Sequence, residues 1–354
     1  MKRTVAALLA SGLVIGSALV QAESLRDIYE LALENDAQLK AEEAQYLARK
    51  ETEILSRSAL LPQVSTSYSY TDSDSDRNAQ SRDFNVPTLP IIDTKANTDV
   101  TTDGYSVSLN QALFDLPAWF TFKSGKEISK EAEAIFAGNQ QNLIVRVVEA
   151  YLLVLRAQDN LAASQAQERA FERQLEQSQQ RFEVGLIAIT DVYEAQAAFD
   201  LSRVNRIVDE NNVSVAMERL SVLTGRYPGT LNVLKDDLEL KLPDPIDRAA
   251  WVDFSLENNF NLQAARHQEE ASRQNAMANK LEHAPKVSGG YEYSDFNTDG
   301  SLDVRPSTGF ETSPDFDLEQ NIWQIRVDLP LYSGGAISAR RRQTAQEYSA
   351  SREN

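Results

Sequence analysis

Two periodicities take turns along the chain. Leu25, Ile28, Leu31 and Leu39 recur at the spacing of an amphipathic helix, which Pro62 ends. The pattern then switches to strict alternation: Val64, Thr66, Tyr68 and Tyr70 face one way, and Ser65, Ser67 and Ser69 the other. Tyr105, Val107 and Leu109 against Ser106, Ser108 and Asn110 predict a second strand with the same contrast. Helical spacing returns in the middle of the chain and again at Trp251, Phe254, Leu262 and Ala265. Pro285 then precedes a third alternation, Val287, Gly289, Tyr291 and Tyr293 against Ser288, Gly290, Glu292 and Ser294. Trp323, Ile325, Val327 and Leu329 against Gln324, Arg326 and Asp328 predict a fourth strand. In every strand one face is apolar and aromatic and the other polar or charged.

These segments form a repeat. Leu33-Glu34-Asn35 returns as Leu256-Glu257-Asn258, Pro62 as Pro285, and Tyr68 and Tyr70 as Tyr291 and Tyr293, at a constant step of 223 positions. Leu113-Phe114 returns as Leu331-Tyr332 at a step of 218, so the connection between the paired strands is five residues shorter in the second copy. The expected organisation is a first repeat at 23–225, a connecting segment at 226–249 and a second repeat at 250–354. On the same arithmetic the chain stops before the second counterpart of the long helices described next, so the second repeat reads as truncated at Asn354 and the chain as C-terminally incomplete.

Asn139–Val184 and Leu186–Thr224 contain neither glycine nor proline. Each could form a helix of roughly 60–70 Å at the α-helical rise. Val147, Tyr151, Val154 and Leu161 begin a three-four seam that resumes at Phe171, Leu175 and Phe182. Val192, Phe199, Val213 and Leu220 keep a seven-residue beat in the second stretch, with Arg206 intruding and the small residues Ala195, Ser202 and Ala216 between. The expectation is an antiparallel coiled-coil hairpin. Its turn, Phe182-Glu183-Val184-Gly185-Leu186-Ile187-Ala188-Ile189-Thr190-Asp191, breaks the first helix at Gly185 and restarts the second with Thr190 or Asp191 as N-cap. Val184, Gly185 and Leu186 would then form an apolar tip. Such a tip either docks a partner or packs on its own neighbours.

Alternation alone suits a soluble sandwich as well as a membrane barrel. Strand length separates the two: each segment approaches the roughly 9–11 residues that cross an outer membrane, with Tyr or Trp near the ends. Asp72–Asp103 and Ser294–Asn321 read as long loops rich in Asp, Ser, Thr and Asn on the water side. Four strands cannot enclose a lumen, and an open sheet in lipid leaves edge groups unpaired. The barrel must be shared: two copies would supply eight strands, three would supply twelve.

Composition narrows the setting. Met1-Lys2-Arg3, an apolar run from Val5 to Val20 and Gln21-Ala22 make a secretory signal peptide at 1–22. The absence of cysteine excludes disulfides, thiolate metal sites and a lipidated cysteine. A net charge of −18 argues against a nucleic-acid partner. No apolar run after the signal reaches helical spanning length.

With these residues in view the chain resembles the TolC family of outer-membrane efflux proteins, over essentially everything from Glu23 onward. The phrases that carry the likeness are Arg181–Val192, Leu61-Pro62, Gln111-Ala112-Leu113-Phe114-Asp115 and Leu329-Pro330-Leu331-Tyr332-Ser333-Gly334-Gly335. The resemblance implies mixed α and transmembrane β structure, in which three protomers build one twelve-stranded barrel and a long helical tunnel through the periplasm. It implies a passive export duct, serving efflux or type I secretion, opened when an inner-membrane transporter and a periplasmic adaptor dock. Carried over, Val184, Gly185 and Leu186 are docking candidates. Thr190 and Asp191 are gating candidates.

No catalytic constellation emerges. His267 and His283 lack evident partners and read as surface residues. Asp72-Ser73-Asp74-Ser75-Asp76 starts like a calcium loop but lacks its glycine and terminal glutamate, so a solvated loop is expected. Arg340-Arg341-Arg342 is a basic cluster at a helix start, solvated or near lipid headgroups. No nucleotide motif is present, and neither a cofactor nor a metal is expected. The competing reading, a periplasmic coiled-coil adaptor or scaffold, shares the signal and hairpin but has no need of four two-faced strands.

Overall fold

A computed structural model describes residues 22–81, 92–235, 244–305 and 314–353. All of the signal segment except Ala22 lies outside these residues, as does 236–243 of the expected connecting segment. The elements run α1 (Leu25–Asn35), α2 (Ala37–Lys50), α3 (Thr52–Ser58), β1 (Gln63–Ser81), β2 (Ile92–Phe114), α4 (Leu116–Glu183), α5 (Ile189–Thr224), α6 (Arg248–Asn258), α7 (Phe260–Lys280), β3 (Lys286–Arg305), β4 (Phe316–Asp328) and α8 (Ala336–Glu353). They fall into two compact units, with α2, α4 and the last residue of α6 crossing from one to the other along the chain.

The first unit holds the long helices. Its core gathers Ile28, Ala32 and Leu39 from α1 and α2, Leu143, Val147, Tyr151 and Val154 from α4, and Ala216 and Leu220 from α5. Ser24 and Asp27 form a reciprocal capping box that starts α1. Asp36 separates α1 from α2, and its carboxylate accepts the Leu39 amide at 2.6 Å. The same carboxylate, almost wholly buried, takes both terminal nitrogens of Arg146 at 3.2 and 3.1 Å. A bidentate guanidinium is what a buried carboxylate needs to offset its lost hydration. Glu23 closes the unit's edge: its amide donates to Thr230 O at 2.8 Å, and Asn232 N donates back to its carbonyl at 3.0 Å. The Tyr151 hydroxyl donates to Asn232 O at 2.6 Å, and burial pushes this phenol above its ordinary pKa.

In the second unit a four-stranded antiparallel sheet has the order β1-β2-β3-β4. The strands are longer than expected, at 19, 23, 20 and 13 residues. Much of what reads as loop in the sequence is strand: Asp72 pairs with Thr101, Asp74 with Asp99 and Ser81 with Ile92, while Gly300 pairs with Val100 and Arg305 with Lys95. The calcium-like Asp72–Asp76 run is therefore extended backbone in β1. Only the segments 82–91 and 306–313 of those expected loops lie outside the described residues.

The helix α4 also begins earlier than its glycine-free stretch. Pro117 sits in its first turn, where the missing N–H costs nothing. Gly125 is required by close approach, since a Cβ there would lie 2.1 Å from Ser56 Oγ and 2.9 Å from Thr52 O. In α7 the buried positions are Ala264, Ala271, Gln274 and Ala278. Ala265, expected on the apolar face, is exposed.

Candidate functional site

The turn between α4 and α5 is built by one glycine. Gly185 has φ +77°, its amide donates to Phe182 O at 2.8 Å, and Leu186 N donates to Arg181 O at 2.8 Å. This hydrogen-bond pair satisfies the last carbonyls of α4 through a left-handed residue. Such caps are usually clasped by an apolar contact from the residue after the glycine back to the last helical turn. That residue is Leu186, but the positions it would meet are Gln180 and Arg181, and Leu186 is 69% exposed. Val184 is 70% exposed, and a Cβ on Gly185 would meet nothing within 4 Å. The tip does not pack on its own neighbours.

The second helix starts differently from the expectation. The residue at the N-cap is Ala188, in extended conformation with no side-chain capping bond, and α5 begins at Ile189. Thr190 and Asp191 are thus the second and third residues of the helix, not its caps. Asp191 lies in the first turn, where a carboxylate favours the positive end of the helix dipole.

Between tip and core, the seam of the hairpin changes character. The small residues that the sequence places between apolar ones, Ala195, Ser202 and Ala216, are more buried than Val192, Phe199 and Val213. Arg206, an intruder in the sequence, has a partner in the facing seam: its Nε donates to Glu168 Oε2 at 2.7 Å, and its NH1 also reaches Glu210 at 2.7 Å. Both charges are largely covered, with side-chain exposures of 25% and 19%. Arg206 was legible as an anomaly, but Glu168 lay unremarked because its side of the seam is written in the other helix.

His267 is likewise partnered. Its Nδ1 lies 2.8 Å from Glu127 Oε2, and Lys130 Nζ lies 2.7 Å from Glu127 Oε1. Burial works to raise the Glu127 pKa, but the hydrogen bonds from Lys130 and His267 outweigh it and hold the carboxyl below its ordinary value. His283 is exposed, with Nδ1 3.1 Å from Pro330 O. Arg340, Arg341 and Arg342 are exposed in the second turn of α8. No group of three or more metal-ligating side chains occurs among the described residues.

The sheet has two chemically opposed faces. In register, Val64, Leu109, Tyr291 and Trp323 form one row, and Thr66, Val107, Tyr293 and Asn321 the next on the same face. Below them Leu113 packs over Gly289 beside Ile325, and the Tyr291 and Trp323 rings meet at a tilt of 39° with centroids 4.4 Å apart. Above them Tyr68 and Tyr105 open the row that also holds Asp295 and Glu319. The tyrosine hydroxyls reach toward this polar margin: Tyr68 to Asp103 at 3.2 Å and Tyr291 to Asn321 at 2.7 Å. From Phe114 to Tyr105 the band spans about 30 Å of strand, or roughly 25 Å of bilayer at an ordinary barrel tilt. The opposite face carries Ser65 bonded to Ser108 at 2.7 Å and Ser67 bonded to Ser106 at 2.9 Å.

A model of the family described as "Outer membrane efflux protein" matches residues 28–226 and 251–354. The chain belongs to the outer membrane efflux protein family. It is 33% identical over 352 residues to the outer membrane protein TolC of Vibrio cholerae serotype O1, covering 99% of this chain and 74% of that one. It is 30% identical over 321 residues to the alkaline protease secretion protein AprF of Pseudomonas aeruginosa, covering 90% of this chain and 63% of that relative. The fold is similar to that of the Campylobacter jejuni CmeC outer membrane channel, with a TM-score of 0.69, 15% identity, and coverage of 92% of this chain and 66% of the other. This efflux-family chain is an outer-membrane channel protein. Its family consists of transport proteins rather than enzymes.

Proposed function

We propose that three copies of the chain share one twelve-stranded barrel and form a passive export duct, which an inner-membrane transporter and a periplasmic adaptor open by docking at the hairpin tip. The observation that carries this reading is the two-faced sheet. An apolar, aromatic face of membrane height and a serine-lined opposite face suit lipid outside and water inside. Among the described residues nothing pairs with the outer edges of β1 and β4. In lipid each unpaired edge group costs several kcal/mol, which a neighbouring copy removes by pairing β4 with the next β1. A periplasmic scaffold gains nothing from Trp323 and Ile325 at 79% and 76% exposure.

Energy for transport comes from the partner, and cargo follows the water-filled path. Val184, Gly185 and Leu186 are the docking residues in this reading, supported by an exposed apolar tip without a clasp. Thr190 and Asp191 are the gating residues, supported by their position on the first turn beside that tip, where a docked partner can disturb them. The experiment is single-channel recording in planar bilayers. The wild-type protein gives one ohmic step size, and Asp191→Ala raises conductance or open time. Unchanged steps reduce Asp191 to a helix-dipole role, and absence of any steps overturns the duct.

A further inference from the structure

The two faces of the sheet exchange character partway along the strands. Up to the row of Tyr68 and Tyr105, the tyrosine-bearing face is apolar and the other face is serine-rich. Beyond it the tyrosine-bearing face carries Asp72, Asp74, Asp99, Asp299 and Asp303. The serine face now carries Val100 from β2, Phe296, Leu302 and Val304 from β3 and Leu318 from β4, while β1 keeps it polar with Thr71, Ser73, Ser75 and Arg77. The exchange is not a change of register, because β2 and β3 pair without a shift from Lys95 to Ala112. The same face simply changes chemistry.

Burial follows the new pattern. In β3, Gly300, Leu302 and Val304 are half-buried while Ser301, Asp303 and Arg305 are exposed. In β2, Ala96, Thr98 and Val100 are half-buried while Asn97 and Asp99 are exposed. The Phe296 ring lies across the adjacent strand, where a Cβ on Gly104 would come within 2.5 Å of Phe296 Cδ1. Pro314 leans on the same face, 2.9 Å from a Cβ placed on Gly300.

We propose that these strand ends form an apolar collar at the outer mouth of the channel, in which the inward faces of the three copies approach one another and narrow the exit. This rests on the shared-barrel reading. Continuity makes the face inward: below the exchange it is the serine face, which a barrel in lipid must turn to its lumen. Above the membrane both sides of a wide, open mouth would meet water, and alternating acid and apolar residues would serve neither. The outward acids cannot pack copies together, because like charges oppose contact. The inward apolar residues of β2, β3 and β4 can, and an apolar constriction is the kind that holds water and ions back until cargo parts it.

The chain contains no cysteine, so single-cysteine reporters are free of background. Leu302→Cys and the outward neighbour Asp303→Cys would each be labelled on intact cells with a membrane-impermeant maleimide. Leu302→Ser/Val304→Ser would be compared with wild type in planar bilayers. The collar requires Leu302→Cys to label at least about tenfold more slowly than Asp303→Cys, and the double serine variant to conduct about twofold more. Equal labelling overturns it, and so does protection without a conductance change, since burial within one protomer or a lining that merely contacts cargo then suffices. Native mass spectrometry of the Leu302→Cys variant separates the two levels. A trimer with equal labelling defeats the collar alone, whereas a monomer defeats the shared barrel and the collar with it.

Discussion

Gly185 is needed for its backbone, not for room. The surroundings are empty, but an L-residue at φ +77° pays roughly 1–2 kcal/mol against the αL conformation. Asparagine tolerates αL better than a β-branched residue does. Gly185→Asn is therefore expected to retain drug efflux in cells, and Gly185→Val to lose it with no loss of the assembled protein from the membrane. Val184→Asp/Leu186→Asp tests docking without touching the backbone. Both side chains are solvent-exposed, so stability should move by no more than about 0.5 kcal/mol. Co-purification with the adaptor should fall at least about tenfold, a loss of about 1.4 kcal/mol of binding. Loss of membrane assembly instead would assign the tip to folding.

Glu127 supplies a pH prediction with a definite sign. Its folded pKa is depressed, so its contribution to stability is complete above the unfolded value near 4.5 and is lost as pH falls through the lower folded value. The melting-temperature difference between wild type and Glu127→Gln should be present at pH 7 and vanish in acid below the depressed value. A difference that persists there would mean the amide is resented for packing, not charge. The partnership of Glu127 with His267 was beyond the sequence, because the residues stand 140 positions apart and neither breaks a local pattern. Asp191 shows the opposite failure. An aspartate at a helix start is a common cap, yet the helix begins two residues before it, behind an uncapped Ala188.

At the scale of elements, the four strands and the hairpin were legible because alternation and three-four spacing differ sharply. Strand ends were less so: Asp-Ser-Asp-Ser alternates perfectly but has the composition of a turn, and cross-strand pairing overrides that composition. The hairpin seam was legible in position and misread in weight, since the small residues Ala195, Ser202 and Ala216 are more buried than Val192, Phe199 and Val213. Glu168 and Arg206 interrupt it with a largely covered ion pair. Glu168→Leu leaves Arg206 only the more exposed Glu210, and Arg206→Met leaves Glu168 without its guanidinium, so each should destabilise the hairpin. The double variant should fall short of the sum by about 0.5–1 kcal/mol. Hydrogen exchange of the α4 and α5 amides reads this coupling, and strict additivity would show that the pair contributes nothing.

At the scale of the molecule, the alternating segments that follow Pro62 and Pro285 and their partners made a four-stranded sheet readable, and the described residues form one. Among the described residues nothing pairs with the outer edges of β1 and β4, while the exposed face of the sheet is apolar over the height of a bilayer. In lipid such edges would be an energetic deficit, which a neighbouring copy would remove. The most direct test is native mass spectrometry of the protein extracted from purified outer membranes, which reports location and copy number together. The shared barrel predicts a trimer that survives detergent release. A monomer or dimer, or recovery only in the soluble periplasmic fraction, would contradict it.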